Sequence, residues 1–433
     1  MNPKLATRNL LVTMLNYLLS PLGYLYGQVM RLRSRFYEFG LFKTRSLACR
    51  VISIGNLTLG GTGKTPLTIW LARYLKGKGQ KVAIVSRGYR AKNKRPVSIV
   101  SDGQRILLGP DEAGDEPFMM ARNLPGVPLL TGKERFLVGM RAIEDFSPDV
   151  VLLDDGYQHL GLDRDLNLLL LRTVKPFGKG RVFPAGTLRE PLSALKRADA
   201  FILTYAEEEA GSVMEEQRLF LQERFPNKPV FVSYCKPISF YLLNETHMSY
   251  SDTKDNENNP PSPPFTKGGH PLSPPLKKDG NSSIPPLGKD GNHPSIPPLK
   301  KGGDQLIPPL EKGDTGGFSD EKASHNLSEL KGKKALAFCG IAHPDSFRKT
   351  LIHLGVDLVD FMAYRDHYDY HRSDIEEIEG NAARKSADCI ITTEKDAVKI
   401  EKPIELNIPV GVLKTEFIFE SDFVSFIDEC MGI

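Results

Sequence analysis

The apolar positions of this chain fall into short blocks separated by stretches of helical spacing. Residues 51–54, 81–85, 150–153, 167–171 and 200–204 are mostly apolar runs of strand length. Between them, 64–76, 112–122, 133–145 and 192–197 carry the spacing of helices, and a polar helix is expected around 207–224 before a further strand from 230. Such alternation predicts an α/β fold, a parallel sheet covered on both faces. The pattern resumes at Lys333, with strands expected at 335–339, 356–361, 388–392 and 410–413 and helices at 345–354, 375–386 and 422–430. This second block is shorter and reads as a smaller α/β lobe.

Two stretches break the alternation. Residues 9–30 carry no charge, a length that could span a bilayer. Yet Leu11, Leu15, Leu18, Leu22, Leu25 and Val29 recur at steps of four and three, and Pro21 and Gly23 interrupt the run. The spacing fits an amphipathic helix lying in a membrane surface, with Tyr17, Tyr24 and Tyr26 at headgroup level. A true span and a plain packing helix are the alternatives. The second stretch, 249–328, holds 14 of the 32 prolines and repeats a Pro-Pro-Leu unit at Pro274, Pro285, Pro297 and Pro308. Repeats of 11 or 12 residues this poor in apolar side chains are too short for a solenoid. They predict a disordered insertion between the lobes, with a polyproline ligand segment as the alternative. The expected organisation is therefore a membrane-associated helix (1–45), a nucleotide-binding domain with a linker strand (46–248), the insertion (249–328) and a second domain (329–433).

Composition narrows the partners. A net charge of +4 over 433 residues does not point to nucleic acid. The first 50 residues are lopsided, with Lys4, Arg8, Arg31, Arg33, Arg35, Lys43, Arg45 and Arg50 against the single acid Glu38, which suits an anionic lipid surface. No small-residue cleavage site follows the apolar run, so a secretory signal is not expected. Cys49, Cys235, Cys339, Cys389 and Cys430 form no C-x-x-C pair, which argues against a zinc site or a disulfide framework and for a reducing compartment.

The chemistry gathers at strand ends. After the 51–54 run the chain passes Thr58, then turns through Gly60, Gly61, Thr62 and Gly63 into Lys64 and Thr65. Strand, glycine loop and helix in that order form a phosphate cradle: backbone N–H groups and a helix N-terminus face the anion. Lys64 would reach the β- and γ-phosphates of ATP, and the Thr65 hydroxyl would bind Mg²⁺. Thr58 stands where the strict pattern wants glycine, and an ordinary glycine-rich turn is the alternative. Asp154 and Asp155 close the apolar run from 150 and would emerge beside the loop to hold Mg²⁺; a simple turn would use the same pair. Gln158 and His159 would face the same cleft. Asp115 and Glu116 lie just before an expected helix, where carboxylates serve as caps or, alternatively, as a base for a substrate hydroxyl. Arg87 and Arg189 follow strands and either bind phosphate in bidentate fashion or pair on the surface. In the second lobe Asp366 and His367 follow one strand, and Thr392, Thr393, Glu394, Lys395 and Asp396 follow another. A lone histidine is more often structural.

Taken together these motifs resemble the tetraacyldisaccharide 4′-kinase (lipid A 4′-kinase) family. The resemblance rests on Gly55 and Asn56 with 60–66, on 86–89, 114–117, 154–159 and 186–191, on Asp366 and His367, and on 392–396. It covers nearly the whole chain outside 249–328. Thr58 is no departure from that family; Tyr157 replaces a usual phenylalanine. The resemblance implies a P-loop α/β domain joined through a short strand linker to a smaller α/β domain. It implies transfer of the γ-phosphoryl of ATP, with Mg²⁺, to the 4′-hydroxyl of a tetraacylated glucosamine disaccharide 1-phosphate. It further implies a monomer at the cytoplasmic face of the bacterial inner membrane. Asp115 and His367 become a catalytic pair, joined by Lys64 and Arg189, with Arg87, Glu116, Gln158 and His159 at the substrate. One rival is a P-loop switch or partitioning ATPase, whose loop also reads G-G-x-G-K-T but usually adds a lysine near position 58. Another is a lipid-binding scaffold with a dead nucleotide site, against which Lys64, Thr65 and Asp154 argue.

Overall fold

The computed structural model describes residues 3–93, 95–208, 211–243, 324–400 and 406–433, with side chains from residue 19 onward. The chain opens with one long helix, α1 (Pro3–Glu38), which runs through Pro21. The first lobe follows: β1 (Arg50–Asn56), α2 (Lys64–Gly77), β2 (Val82–Ser86), β3 (Ser98–Ser101), α3 (Pro110–Ala113), α4 (Asp115–Asn123), β4 (Leu129–Thr131), α5 (Arg135–Phe146), β5 (Val150–Asp154), β6 (Leu166–Arg172), β7 (Ala200–Thr204) and α6 (Gly211–Arg224). A 13-residue strand, β8 (Val230–Leu242), leads out of it. The second lobe comprises β9 (Lys334–Cys339), α7 (Pro344–His353), β10 (Asp357–Ala363), α8 (Arg372–Arg384), β11 (Cys389–Thr393), α9 (Glu394–Ile400) and the first half of β12 (Val410–Phe419); α10 (Ser421–Met431) ends the chain.

The twelve strands among the described residues form one sheet, ordered β10-β9-β11-β12-β8-β7-β6-β1-β5-β2-β4-β3. The apolar block after Arg50 makes β1 a buried central strand, parallel to β5 and β6. Its register sets Ile54 beside Asp154, so the acid emerges at the same sheet edge as the glycine loop. The lobes are stitched by β8, which runs parallel to β7 through Val230–Val232 and antiparallel to β12 beyond it. Both strands are longer than their apolar runs. Lys414, Thr415 and Glu416 interrupt the run in β12 and line the space between the lobes.

The aromatic tail of the chain returns to the first lobe. Phe417, Phe419, Phe423 and Ile427 are buried with Trp70, Leu71 and Leu75 of α2, and Arg50 of β1 donates to the Cys430 carbonyl at 3.0 Å. The expected second domain therefore surrenders residues 417–433 to the first. At its other end it begins earlier than 329. His325 bridges Phe240 on β8, and a capped turn, Leu327–Leu330, follows Asn326. The proline repeats themselves lie outside the described residues.

Other differences have local causes. The helix expected over 112–122 is broken at Gly114 (φ 90°), where an added Cβ would stand 2.6 Å from the Tyr89 carbonyl oxygen. The break lets α4 begin at Asp115. Residues 192–197 form a 3₁₀ helix. Strands β3 and β4, of four and three residues, are too short to leave a period in the sequence. Among the described residues no helix is long and apolar enough to cross a membrane.

Candidate active site

Between the lobes lies a cavity of about 1000 Å³. Its floor is the glycine loop. Gly63 takes φ 83° and caps α2, and an added Cβ there would stand 2.2 Å from the Phe417 ring. Only glycine allows both the left-handed turn and that close approach. Strand β12 thus leans on the loop it must not obstruct, and Glu416 beside Phe417 pairs with Arg73 of α2. From the second lobe, Ala342 and His343 come over Gly61 and Gly60.

Lys64, Thr65 and Asp154 line this floor. Lys64 Nζ lies 3.6 Å from Asp155 Oδ1, and Arg189 Nη1 reaches both Asp155 oxygens at 2.8 Å. Burial alone would push the Asp155 carboxyl up; Lys64 and Arg189 outweigh it and bring it down to about 2. Asp155 also holds a left-handed φ of 53°, a conformation the surrounding ion pairs fix. Asp154 is only 2% exposed and accepts from Ser86 at 3.2 Å and Thr68 at 3.3 Å. Burial, then the charges of Glu116 and Asp155, push it up to about 7. A buried carboxylate with its ionised form so opposed is a donor that a hard cation stabilises. Among the described residues no three His, Cys, Asp or Glu side chains gather as a metal cage.

At one side of the cavity the two motifs from opposite lobes meet: Glu116 and His367 line it, and Asp115 stands behind them. His367 Nδ1 lies 3.6 Å from Asp115 Oδ2, and its Nε2 lies 3.8 Å from Glu116 Oε1. His367 has φ 56°; its N–H donates to the Gly340 carbonyl at 3.1 Å and its own carbonyl accepts from Arg90. Burial raises the Asp115 carboxyl, but His367 and Lys399 more than compensate and hold it below the ordinary value. The Tyr89 ring packs edge-on against His367 at 5.5 Å.

The remaining residues expected from the sequence divide. Arg87 and Glu116 line the cavity, as do Gln158 and His159. Gln158 donates to the Asn56 carbonyl at 2.9 Å, and its own carbonyl accepts from Arg33 of α1 at 3.2 Å. His159 Nε2 lies 3.5 Å from Glu134, and burial beside Arg135 lowers its basicity. Thr58 does not line the cavity. It is buried and bridges Leu188, so it supports the loop from behind. Two further cavity cations, Arg135 and Arg172, belong to no motif, and Lys395 lies in one without an expected role. Arg135 is buried beside Asp154 and Asp155, with burial lowering it to about 10. Arg172 donates to the Gly61 carbonyl at 3.1 Å. Lys395 lies 3.0 Å from His367 Nε2. The first begins a helix in a polar stretch and looks like a surface residue; Arg172 ends a strand among leucines with no motif around it.

Helix α1 completes the rim with Tyr26, Met30 and Arg33. Its buried face is Gly23 and Gly27, set against Val182, Ala185 and Pro191 in the segment that carries Arg189. The opposite face leaves Leu22, Leu25, Val29 and Leu32 exposed, Leu25 at 62%, and Phe39 just beyond the helix at 75%.

A family model described as tetraacyldisaccharide-1-P 4'-kinase matches residues 15–256 and 301–432. The tetraacyldisaccharide 4'-kinase of Syntrophus aciditrophicus is 37% identical over 395 residues, 89% of this chain and 84% of that protein. That of Desulfotalea psychrophila is 36% identical over 405 residues, 92% of this chain and 93% of its own. Among solved structures, the crystal structure of the "apo" form of LpxK from Aquifex aeolicus in complex with ATP superposes with a TM-score of 0.63 at 28% identity, over 96% of this chain and 99% of that one.

Proposed function

Because the chain belongs to the tetraacyldisaccharide 4'-kinase family, we propose that its inter-lobe cleft assembles the transfer site from both lobes, with Asp115 as the base. The chain is an ATP-dependent kinase of lipid A biosynthesis: it phosphorylates the 4′-hydroxyl of a tetraacylated disaccharide 1-phosphate. The switch-ATPase alternative has no comparable support. The observation that carries the site reading is the 3.6 Å approach of His367 to Asp115 across the lobes, above a glycine loop and Lys64.

In this reading the glycine-loop N–H groups and Lys64 hold the triphosphate. Thr65 and Asp154 would hold Mg²⁺, which would supply positive charge against the negative charge that develops on the phosphates. Asp155, with both oxygens on Arg189, acts by fixing Arg189 and Lys64 at the γ-phosphoryl group more than as a metal donor. Arg87, Glu116, Gln158 and His159 orient the disaccharide. Asp115 takes the hydroxyl proton as the sugar oxygen bonds to the γ-phosphorus and the bond to the β,γ-bridging oxygen breaks, releasing ADP. His367 orients Asp115 and shares the proton. The test is direct: purified protein, Mg-ATP and the disaccharide 1-phosphate should give the 4′-phosphate by mass spectrometry. ADP release without lipid phosphorylation would return the ATPase reading.

The exposed stripe of α1 supports peripheral binding to a membrane surface; in this reading the protein is a monomer at the cytoplasmic face of the inner membrane. Leu22, Leu25, Val29 and Leu32 would enter the acyl boundary while Arg31, Arg35 and Lys43 meet anionic headgroups. Leu25→Asp with Val29→Asp should weaken binding to anionic phospholipid vesicles by roughly 100-fold or more, from about 1.5–3 kcal/mol for each of the two buried side chains. High salt alone should release the wild type only partly. Unchanged vesicle binding by the double variant would remove this face from the membrane contact.

A further inference from the structure

Helix α9 carries Lys395 and Lys399 one turn apart, and both reach the Asp115–His367 pair. Lys395 Nζ lies 3.0 Å from His367 Nε2, 3.1 Å from Asp366 and 3.4 Å from Glu116. Lys399 lies deeper. Its side chain is 5% exposed, and its Nζ is 3.6 Å from Asp115 Oδ2 and 3.6 Å from Asp396 Oδ1. Asp396 is fully buried and belongs to the second lobe's own scaffold: it accepts from the Thr393 hydroxyl at 2.7 Å, the Gly340 N–H at 3.0 Å and the Tyr370 hydroxyl at 3.2 Å. Gly340 in turn holds the His367 N–H. The ammonium therefore sits between a carboxylate anchored in one lobe and a carboxylate of the other. A buried ammonium is costly unless paired. With the lobes apart it would keep only Asp396, which already serves three donors.

We propose that Lys399 is a positioning residue for phosphoryl transfer: it bridges Asp396 and Asp115 across the lobe interface and so seats an ionised base against His367 only when the lobes are closed. The inference rests on Asp115 being the proton acceptor, as proposed above. The other charged groups around Asp115 are His367, Asp366 and Lys395 from the second lobe and Glu116 on its own helix. Arg90 and Asp369 lie behind the His367 backbone. Lys395 is engaged by Glu116 and Asp366; among the described residues Lys399 is the lysine that, beside His367, stands within 4 Å of Asp115. Removing it exposes the carboxyl to the upward push of burial.

The experiment compares the pH dependence of kcat in the full chain for Lys399→Met, Lys399→Arg and Asp115→Asn. Lys399→Met should move the acid limb upward by about 1–3 pH units, with activity recovering as pH rises and little change in KM for ATP. Lys399→Arg keeps the charge and should retain the wild-type limb. A loss equal at every pH, or no change at all, would overturn the proposal. Should Lys399→Met fail to fold, a thermal-melting cycle of Lys399→Gln with Asp115→Asn decides it: strongly coupled shifts support the bridge and additive ones exclude it. Asp115→Asn with full turnover would instead refute the base assignment. Asp115→Asn without turnover, beside an unmoved limb in Lys399→Met, refutes the Lys399 role alone.

Discussion

Lys64→Ala is expected to lower kcat by roughly 10²–10³-fold or more while leaving the melting temperature nearly unchanged. The asymmetry follows from the ion pairs beneath the loop. Asp155 is held chiefly by Arg189, whose guanidinium reaches both its oxygens at 2.8 Å, whereas Lys64 stands back at 3.6 Å. Removing Lys64 does not strand a buried carboxylate, so the fold loses little. The transferring phosphoryl group, however, loses its nearest fixed cation on the loop, and no other loop residue from 60 to 65 carries a charge. The loss should fall on kcat more than on KM for ATP, because the glycine-loop N–H groups still grip the ground-state phosphates. Single-turnover kinetics separate the two. Near-native turnover in this variant would mean the glycine loop does not cradle the reacting phosphates.

The first lobe was legible because its site is local. A β-branched run, a glycine turn and a helix follow each other within residues 50–77, and the acid that faces them ends another apolar run. Register then does the rest, pairing Ile54 with Asp154. What the periodicity could not carry is contact between distant segments. Nothing local says that Phe417, Phe419 and Phe423 leave the second lobe to pack on Trp70, since an amphipathic helix at 421–431 fits either core equally well. Strand β12 seemed to end at 413 because Lys414, Thr415 and Glu416 are polar, and they are polar because they cross the cleft. The same limit hid half the catalytic wall. Helix α9 is seven residues long, too short to register beside β11, so Lys395 appeared as part of a polar motif without a face and Lys399 lay beyond it. Arg135 is the reverse case: a buried cation, its sequence setting that of an exposed helix start. Asp115 and His367, 252 positions apart, were joined by family resemblance, and their 3.6 Å approach is a property of the folded chain that neither motif contains.

That approach sets up the second large effect. A sugar hydroxyl is a poor nucleophile, and a positioned carboxylate that accepts its proton in the transition state contributes roughly 10²–10⁴-fold. Against the upward push of burial, His367 and Lys399 hold the Asp115 carboxyl below its ordinary value, so at neutral pH it is ready to accept. Its depressed basicity makes it a weak base alone, which is where His367 enters: the imidazole can take the proton on as charge moves to the phosphoryl oxygens. Asp115→Ala should therefore lower kcat by roughly 10²–10⁴-fold. For His367 the replacement matters, because φ is 56° there and alanine would add backbone strain; asparagine tolerates that conformation and removes the imidazole. His367→Asn should cost a similar factor, with KM for ATP little moved, since neither residue belongs to the phosphate cradle. Acting as one unit, the two should not add: the double variant should be scarcely slower than the poorer single one. Strictly additive losses, measured with all three variants folded by thermal melting, would show that the lobes contribute independently. The 3.6 Å contact would then be packing between lobes, and Asp115 would have to find its proton relay elsewhere in the cleft.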